Sequence, residues 1–274
     1  MSQVEKILTK IESIVENANK TNSSNDKDTG TNDKRDEIIY DGEWVYKDVY
    51  PKFKLKDDTP EFSYHLLHYL NNIKKDNALI VLPGFSNKSR DWTFGRINRW
   101  IKQMGEFQVY SDIIIFDFHE IKKLINEQNF GEGAMKNFYS EKIDHKISMH
   151  LNHILNKLDF KNVNLIGRSA GAGVAMVLSS LNKGVSRLSL ACPGWNEGTI
   201  NPLIEKINNG KKIMINIYHS KKDTRIKPEE TKELSLLLEK NSINHVYEEL
   251  DINEIRGHAF HHRIYDKLIY DLFK

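Results

Sequence analysis

Apolar residues recur along the chain in short runs set apart by polar stretches, and they do so with two different periods. Val4, Ile7, Ile11 and Ile14 stand 3, 4 and 3 positions apart, the spacing of one stripe on a helix. A short amphipathic helix is therefore expected over residues 1–16. In residues 17–36 the only apolar residue is Ala18, the rest being mostly Asn, Lys, Asp, Ser, Thr and Gly. Such a stretch cannot bury enough surface to offset the entropy of ordering, so a flexible linker is expected there. The globular part then begins at 37. Residues 43–50 and 61–69 alternate partially and carry aromatic and β-branched side chains, as antiparallel edge strands do. Compact apolar runs follow at 78–82, 112–118, 163–166, 186–191 and 212–218, and a further strand-like run at 245–250. The compact runs are the signature of strands buried on both faces of a parallel sheet. Helical patterns lie between and after them, at 92–104, 141–158, 171–181, 201–208, 228–240 and 264–273. Strand alternating with helix predicts right-handed βαβ units, and hence a mostly parallel sheet with helices on both faces. In such a sheet ligands meet the loops at the carboxyl ends of the strands.

Composition narrows the classes. Forty basic residues stand against thirty-eight acidic ones in 274, for a formal charge of +2. They are spread along the chain rather than gathered in a block, which argues against nucleic acid as a partner. The apolar runs fall far short of the roughly 18 residues that a membrane span requires. The start of the chain has no apolar stretch of signal-peptide length, and Cys192 is the single cysteine. Both features fit a reducing, cytoplasmic location.

The chemistry concentrates at strand ends. Directly after the run 163–166 comes Gly167-Arg168-Ser169-Ala170-Gly171, followed by a helical stretch. This is a Gly-x-Ser-x-Gly elbow in the strand, turn, helix setting that the motif requires. Side chains two positions either side of the serine would collide with the neighbouring strand and helix, so glycines there let the hydroxyl project above the sheet. A serine hydroxyl needs a base to take its proton, and an imidazole base works best when a carboxylate fixes its tautomer. Asp223 follows the run 212–218, on a loop at a strand's carboxyl end. His258 lies in Gly257-His258-Ala259-Phe260, after the last strand-like run and before the last helical one. The chain order is Ser169, Asp223, His258.

In elbow, setting and order, residues 40–274 resemble the α/β-hydrolase family. The resemblance implies an α/β fold with a mostly parallel sheet of about eight strands, in a domain spanning 37–274. It implies Ser169, Asp223 and His258 as the catalytic triad, and the backbone N–H groups of Ala170 and Phe85 as the oxyanion hole. Phe85 follows Val81-Leu82-Pro83-Gly84, where many relatives carry His-Gly and this chain has Pro83 in place of the histidine. Only residues 192–211 separate two core strands at the position where relatives insert a cap, which leaves no room for a cap domain. An uncapped serine enzyme resembles small carboxylesterases and thioesterases, so hydrolysis of a carboxylic ester or thioester is expected, on a small-molecule or acyl-carrying substrate. Acyl transfer by the same triad and a non-catalytic binding role for the fold are the alternatives. Trp92, Trp195 and Phe260 are candidates to line an acyl pocket.

Several residues compete for these roles. Asp251, Glu248, Glu249 and Glu254 are rival acids, and Asp223 itself stands among Lys221, Lys222 and Arg225, which could pair with it in solvent. His261 and His262 compete with His258, which the preceding Gly257 favours. The three histidines together show no His-Glu-x-x-His or paired-cysteine spacing, so no metal is expected. Gly210-Lys211 lacks the earlier glycine of a phosphate-binding loop, and no cofactor is expected. His150 and His153 read as solvated helix residues, and Cys192 as a small buried one. Arg168 suits either an anionic substrate or a local carboxylate. The helix at 1–16, tethered by the linker, offers a stripe for a protein partner or for packing on its own domain.

Overall fold

The structure, a computed structural model, describes residues 38–40, 44–49, 63–69, 76–84, 110, 112–117, 139, 142–251, 267–268 and 271. The expected helix at 1–16, the linker at 17–36 and the helix at 92–104 lie outside these residues. The strands are β1 (Ile38–Tyr40), β2 (Trp44–Val49), β3 (Ser63–Tyr69), β4 (Asn77–Leu82), β5 (Asp112–Asp117), β6 (Asn162–Arg168), β7 (Val185–Ala191), β8 (Met214–Ser220) and β9 (His245–Leu250). The helices are α1 (Ile143–Leu158), α2 (Ala170–Leu181), α3 (Glu197–Asn208) and α4 (Pro228–Lys240).

The strands form one sheet in the order β1-β2-β3-β5-β4-β6-β7-β8-β9. β1, β2, β3 and β5 pair antiparallel. From β5 to β9 every pairing is parallel. The sheet has nine strands where about eight are expected. The addition is β1, whose three residues are too few to display an alternation in the sequence.

Alternate residues of the parallel strands face opposite ways. Ile80 and Leu82, Ile114 and Phe116, Leu165, Leu188 and Leu190, and Ile215 and Ile217 share one core cluster with residues of α1 to α4. Their neighbours Leu79, Val81, Ile113, Ile115, Ile166 and Tyr218 are equally buried on the opposite face. C-terminal residues reach that second face: the Arg187 guanidinium donates to the Asp271 carbonyl, and the Lys267 ammonium lies 5.8 Å from the Tyr218 ring centre. Burial on both faces explains why these strands read as continuous apolar runs. Each fully buried Leu or Ile contributes about 1.5–3 kcal/mol, so the centre of the sheet is a rigid support for its loops.

α2 packs between α1 and α3 and is buried from Ala170 to Ser180. A helix covered on all sides needs small residues for close approach, and its first half is Ala-Gly-Ala-Gly-Val-Ala. α3 begins four residues before the expected start at 201. Asn196 and Thr199 form a reciprocal cap, and Pro202 sits inside the helix rather than at its first turn. Pro202 has no N–H for the Gly198 carbonyl, which would be its partner four residues back. His145 Nε2 donates to that carbonyl instead, at 3.1 Å, from α1. The connection between β7 and β8 contains α3 and its flanking loops only, as the short spacing implies.

One histidine reading is corrected. His153 is exposed, but His150 is buried. It falls three residues after Ile147 and four before Ile154, inside the apolar stripe of α1, so packing overrides its polarity.

Candidate active site

The chain passes from β4 to β5 on one side and returns to β6 on the other, so the strand order reverses between β4 and β6. The carboxyl ends of those two strands are the switch point at which open α/β sheets bind ligands. Gly84 and Ser169 stand there. A Cβ placed on Gly84 would lie 3.1 Å from Ser169 Cβ and 3.6 Å from its Oγ, so the backbone after β4 runs directly past the serine hydroxyl.

Ser169 joins β6 to α2 with φ 52° and ψ −123°, a positive φ that costs a non-glycine residue of order 1–3 kcal/mol. The surroundings hold it there. Its N–H donates to the Ala191 carbonyl at 3.0 Å, and its own carbonyl accepts from the Ala172 and Gly194 amides, each at 3.0 Å. The elbow glycines are sterically required. A Cβ on Gly171 would sit 2.2 Å from the Leu82 carbonyl oxygen of β4, and one on Gly167 would sit 2.7 Å from Ala172 and Ala175 of α2. The collisions expected from the motif are thus with the neighbouring strand and the following helix respectively. Gly171→Ala is expected to destabilise the protein by about 3 kcal/mol, because the Leu82 and Pro83 backbone at the end of β4 must move. Urea unfolding checks this, and an unchanged midpoint would contradict the close approach.

Ala170 is the first residue of α2, so its N–H has no acceptor within the helix. α2 carries no acidic residue in its first turn, and its amino-terminal partial positive charge is directed at the space above Ser169. Phe85, the expected second donor, lies outside the described residues, as do His258, Trp92, Phe260, His261, His262 and Glu254.

Asp223 is 6 % exposed and is held by its own loop. Its Oδ1 accepts from the Arg225 N–H at 2.8 Å and the Ile226 N–H at 3.1 Å. The loop is anchored in turn: Asp223 N–H donates to the Ser220 carbonyl, and Lys221 N–H to the Leu250 carbonyl at the end of β9. The flanking lysines and Arg225 therefore do not make Asp223 a solvated surface carboxylate. The rivals differ. Asp251 is exposed, the Tyr247 hydroxyl donates to Glu249, and Glu248 lies 3.3 Å from the Lys267 ammonium.

Behind Asp223 lies a histidine that sequence reasoning passed over. His219 is fully buried. Its Nε2 lies 3.0 Å from the Ile226 carbonyl and 3.6 Å from Asp223 Oδ2, and its Nδ1 lies 2.7 Å from the Thr231 hydroxyl. Ligand atoms of Cys192, His219 and Asp223 all lie within 4.8 Å of one another, a donor set that could suggest a metal. A carbonyl can only accept, so His219 Nε2 carries a proton, while Nδ1 is capped by Thr231. The imidazole thus offers a cation no lone pair, and the cluster is hydrogen-bonded support. Cys192 is buried, and burial followed by the nearby Asp223 charge pushes its thiol well above the usual range, leaving it a poor nucleophile.

Arg168 is buried beside the nucleophile. Trp195 is partly buried against the core, next to Gly194, whose amide binds the Ser169 carbonyl. Its indole N–H donates to the Glu230 carbonyl at 2.9 Å, which ties this loop to the first turn of α4.

No protein-family model matches the chain, and no curated protein matches it. Solved structures do. A dienelactone hydrolase-like promiscuous phosphotriesterase from metagenomic libraries aligns with 85 % of this chain and 97 % of its own, at 12 % identity and TM-score 0.57. An esterase of Pyrococcus furiosus covers 83 % and 88 %, at 16 % identity and TM-score 0.53. An α/β hydrolase from a deep-sea metagenome of the Medee basin covers 84 % and 97 %, at 10 % identity and TM-score 0.51. The chain has the α/β-hydrolase fold.

Proposed function

We propose that the protein is a serine hydrolase that cleaves a carboxylic ester or thioester through an acyl-enzyme on Ser169. The observation that carries the proposal is the elbow itself: a serine held at positive φ over the amino end of a buried helix, at the switch point of the sheet. A bland turn residue would not repay that strain. The buried Asp223, two strands along at the end of β8, adds a fixed carboxylate on the same edge. Names of structural neighbours that include esterases and a phosphotriesterase agree with ester chemistry.

In the proposed reaction, His258 takes the Ser169 proton as Oγ attacks the acyl carbon. The N–H groups of Ala170 and Phe85 stabilise the oxyanion, and Asp223 supports the imidazolium. The tetrahedral intermediate collapses as His258 returns the proton to the departing alcohol or thiol. Water then attacks the acyl-enzyme with His258 again as base, releasing the acid and free Ser169. Trp195, with Trp92 and Phe260, would line the acyl side of the site.

The test is a panel of p-nitrophenyl esters and acyl thioesters of graded chain length, assayed with Ser169→Ala as the control. Serine-dependent release of the leaving group supports the reading, and its absence across the panel contradicts it. Within the same panel, Asp223→Asn is expected to lower kcat by about 10⁴-fold, the loss seen when a triad tautomer is no longer fixed. Asp251→Asn should leave the rate unchanged, and the reverse ranking would move the acid to the end of β9.

A further inference from the structure

The loop that carries Asp223 is not held by its own backbone alone. We infer that His219 is a positioning residue for the triad acid, clamping the Asp223 carboxylate in the orientation that the base requires. This inference rests on the reading of Asp223 as that acid.

β8 delivers His219 at its penultimate position, and the chain then turns outward through Lys221 and Lys222 before returning at Ile226. The Lys221 and Lys222 side chains are exposed, and the loop is held by its backbone. His219 spans its base: Nε2 holds the returning strand at the Ile226 carbonyl, 3.0 Å away. The same N–H faces Asp223 Oδ2 at 3.6 Å. Oδ1 accepts from the amides of Arg225 and Ile226, so the residue whose carbonyl His219 holds is also one that grips the carboxylate. The Thr231 hydroxyl of α4, 2.7 Å from Nδ1, sets the ring plane. The imidazole and carboxylate side chains are both wholly excluded from solvent. The buried Cys192 thiol, just after β7, lies within 4.8 Å of the ligand atoms of both. The hydrogen bonds of His219 to the Ile226 carbonyl and the Thr231 hydroxyl resist rearrangement, because breaking them leaves buried polar atoms unpaired.

A group that acts only through Asp223 makes distinctive predictions. His219→Leu is expected to lower kcat about 10–100-fold, the usual scale for supporting partners of a site, with KM nearly unchanged. A misdirected Asp223 supports the imidazolium less, so the base's pKa falls and the acid limb of the pH profile moves to lower pH. Partial unfolding would reduce the number of active sites without moving that limb. Rates are therefore normalised by fluorophosphonate titration of active sites. His219→Gln, which keeps a donor at the Nε2 position, should recover most of the rate. Thr231→Val should give a smaller loss with the same direction of shift, and these two variants carry the test if His219→Leu fails to fold.

The double variant His219→Leu with Asp223→Asn separates the possibilities. Under the inference it is no slower than Asp223→Asn alone, because His219 has nothing left to position. Additive losses, or an unshifted acid limb in every His219 and Thr231 variant, overturn the inference while leaving the triad standing. Full activity of Asp223→Asn overturns the triad reading, and the inference with it.

Discussion

Ser169→Ala is expected to lower turnover by about 10⁶-fold, the scale on which loss of a triad serine eliminates covalent catalysis. What remains is the contribution of the oxyanion donors and of substrate binding. Stability should change little, within about 0.5 kcal/mol, since the elbow is held through the backbone bonds of Ser169 to Ala191, Ala172 and Gly194. Ser169→Gly offers a sharper contrast. At φ 52° a glycine relieves strain of order 1 kcal/mol or more, so this variant should be inactive yet more stable than the parent. Thermal unfolding measured beside turnover checks both. A Ser169→Gly variant less stable than the parent would mean that the positive φ carries no strain.

Under the proposed mechanism His258→Ala is expected to cost nearly as much as loss of the serine, since a triad base and nucleophile act as one unit. The pH dependence supplies the sign. An imidazole base works only when neutral, and an unperturbed histidine titrates near about 6.5. In the proposed triad a carboxylate partner would favour the charged form and move that midpoint upward. kcat/KM should therefore rise with pH through the neutral range and fall away in mild acid. A profile flat into mild acid would point to another base. If His261→Ala or His262→Ala is the more damaging change, the base lies further along the same segment.

The central sheet was legible because burial on both faces writes a plain pattern. Ile113, Ile114 and Ile115 are all fully buried, and no alternation is needed to find them. The bounds of α4 were legible to the residue, for Pro228 stands at its first position and Glu229 and Glu230 lie in its first turn. Other features lay below that resolution. β1 is three residues long. The start of α3 was obscured by Pro202, because the His145 side chain that satisfies the orphaned Gly198 carbonyl comes from 53 positions away. The burial of His150 follows from the phase of the α1 stripe.

At the site, the elbow was legible from its glycines, and both expected collisions are present. Asp223 was legible by position but not by environment. Three neighbouring cations suggested a solvated carboxylate, and only the folded loop turns it inward onto the Arg225 and Ile226 amides. His219 carried a weak signal, a histidine directly after the apolar run 212–218, but its partners Ile226 and Thr231 lie 7 and 12 positions ahead. Contacts of that range have no periodicity to announce them.

The most direct measurement of whether Ser169 is an activated nucleophile is labelling by a fluorophosphonate probe, with the adduct located by peptide mass analysis. The account predicts one adduct, on Ser169, absent from Ser169→Ala and much slower to form in His258→Ala. A well-folded protein that takes up no probe, or that takes it up elsewhere, would contradict it and leave the fold as a binding scaffold.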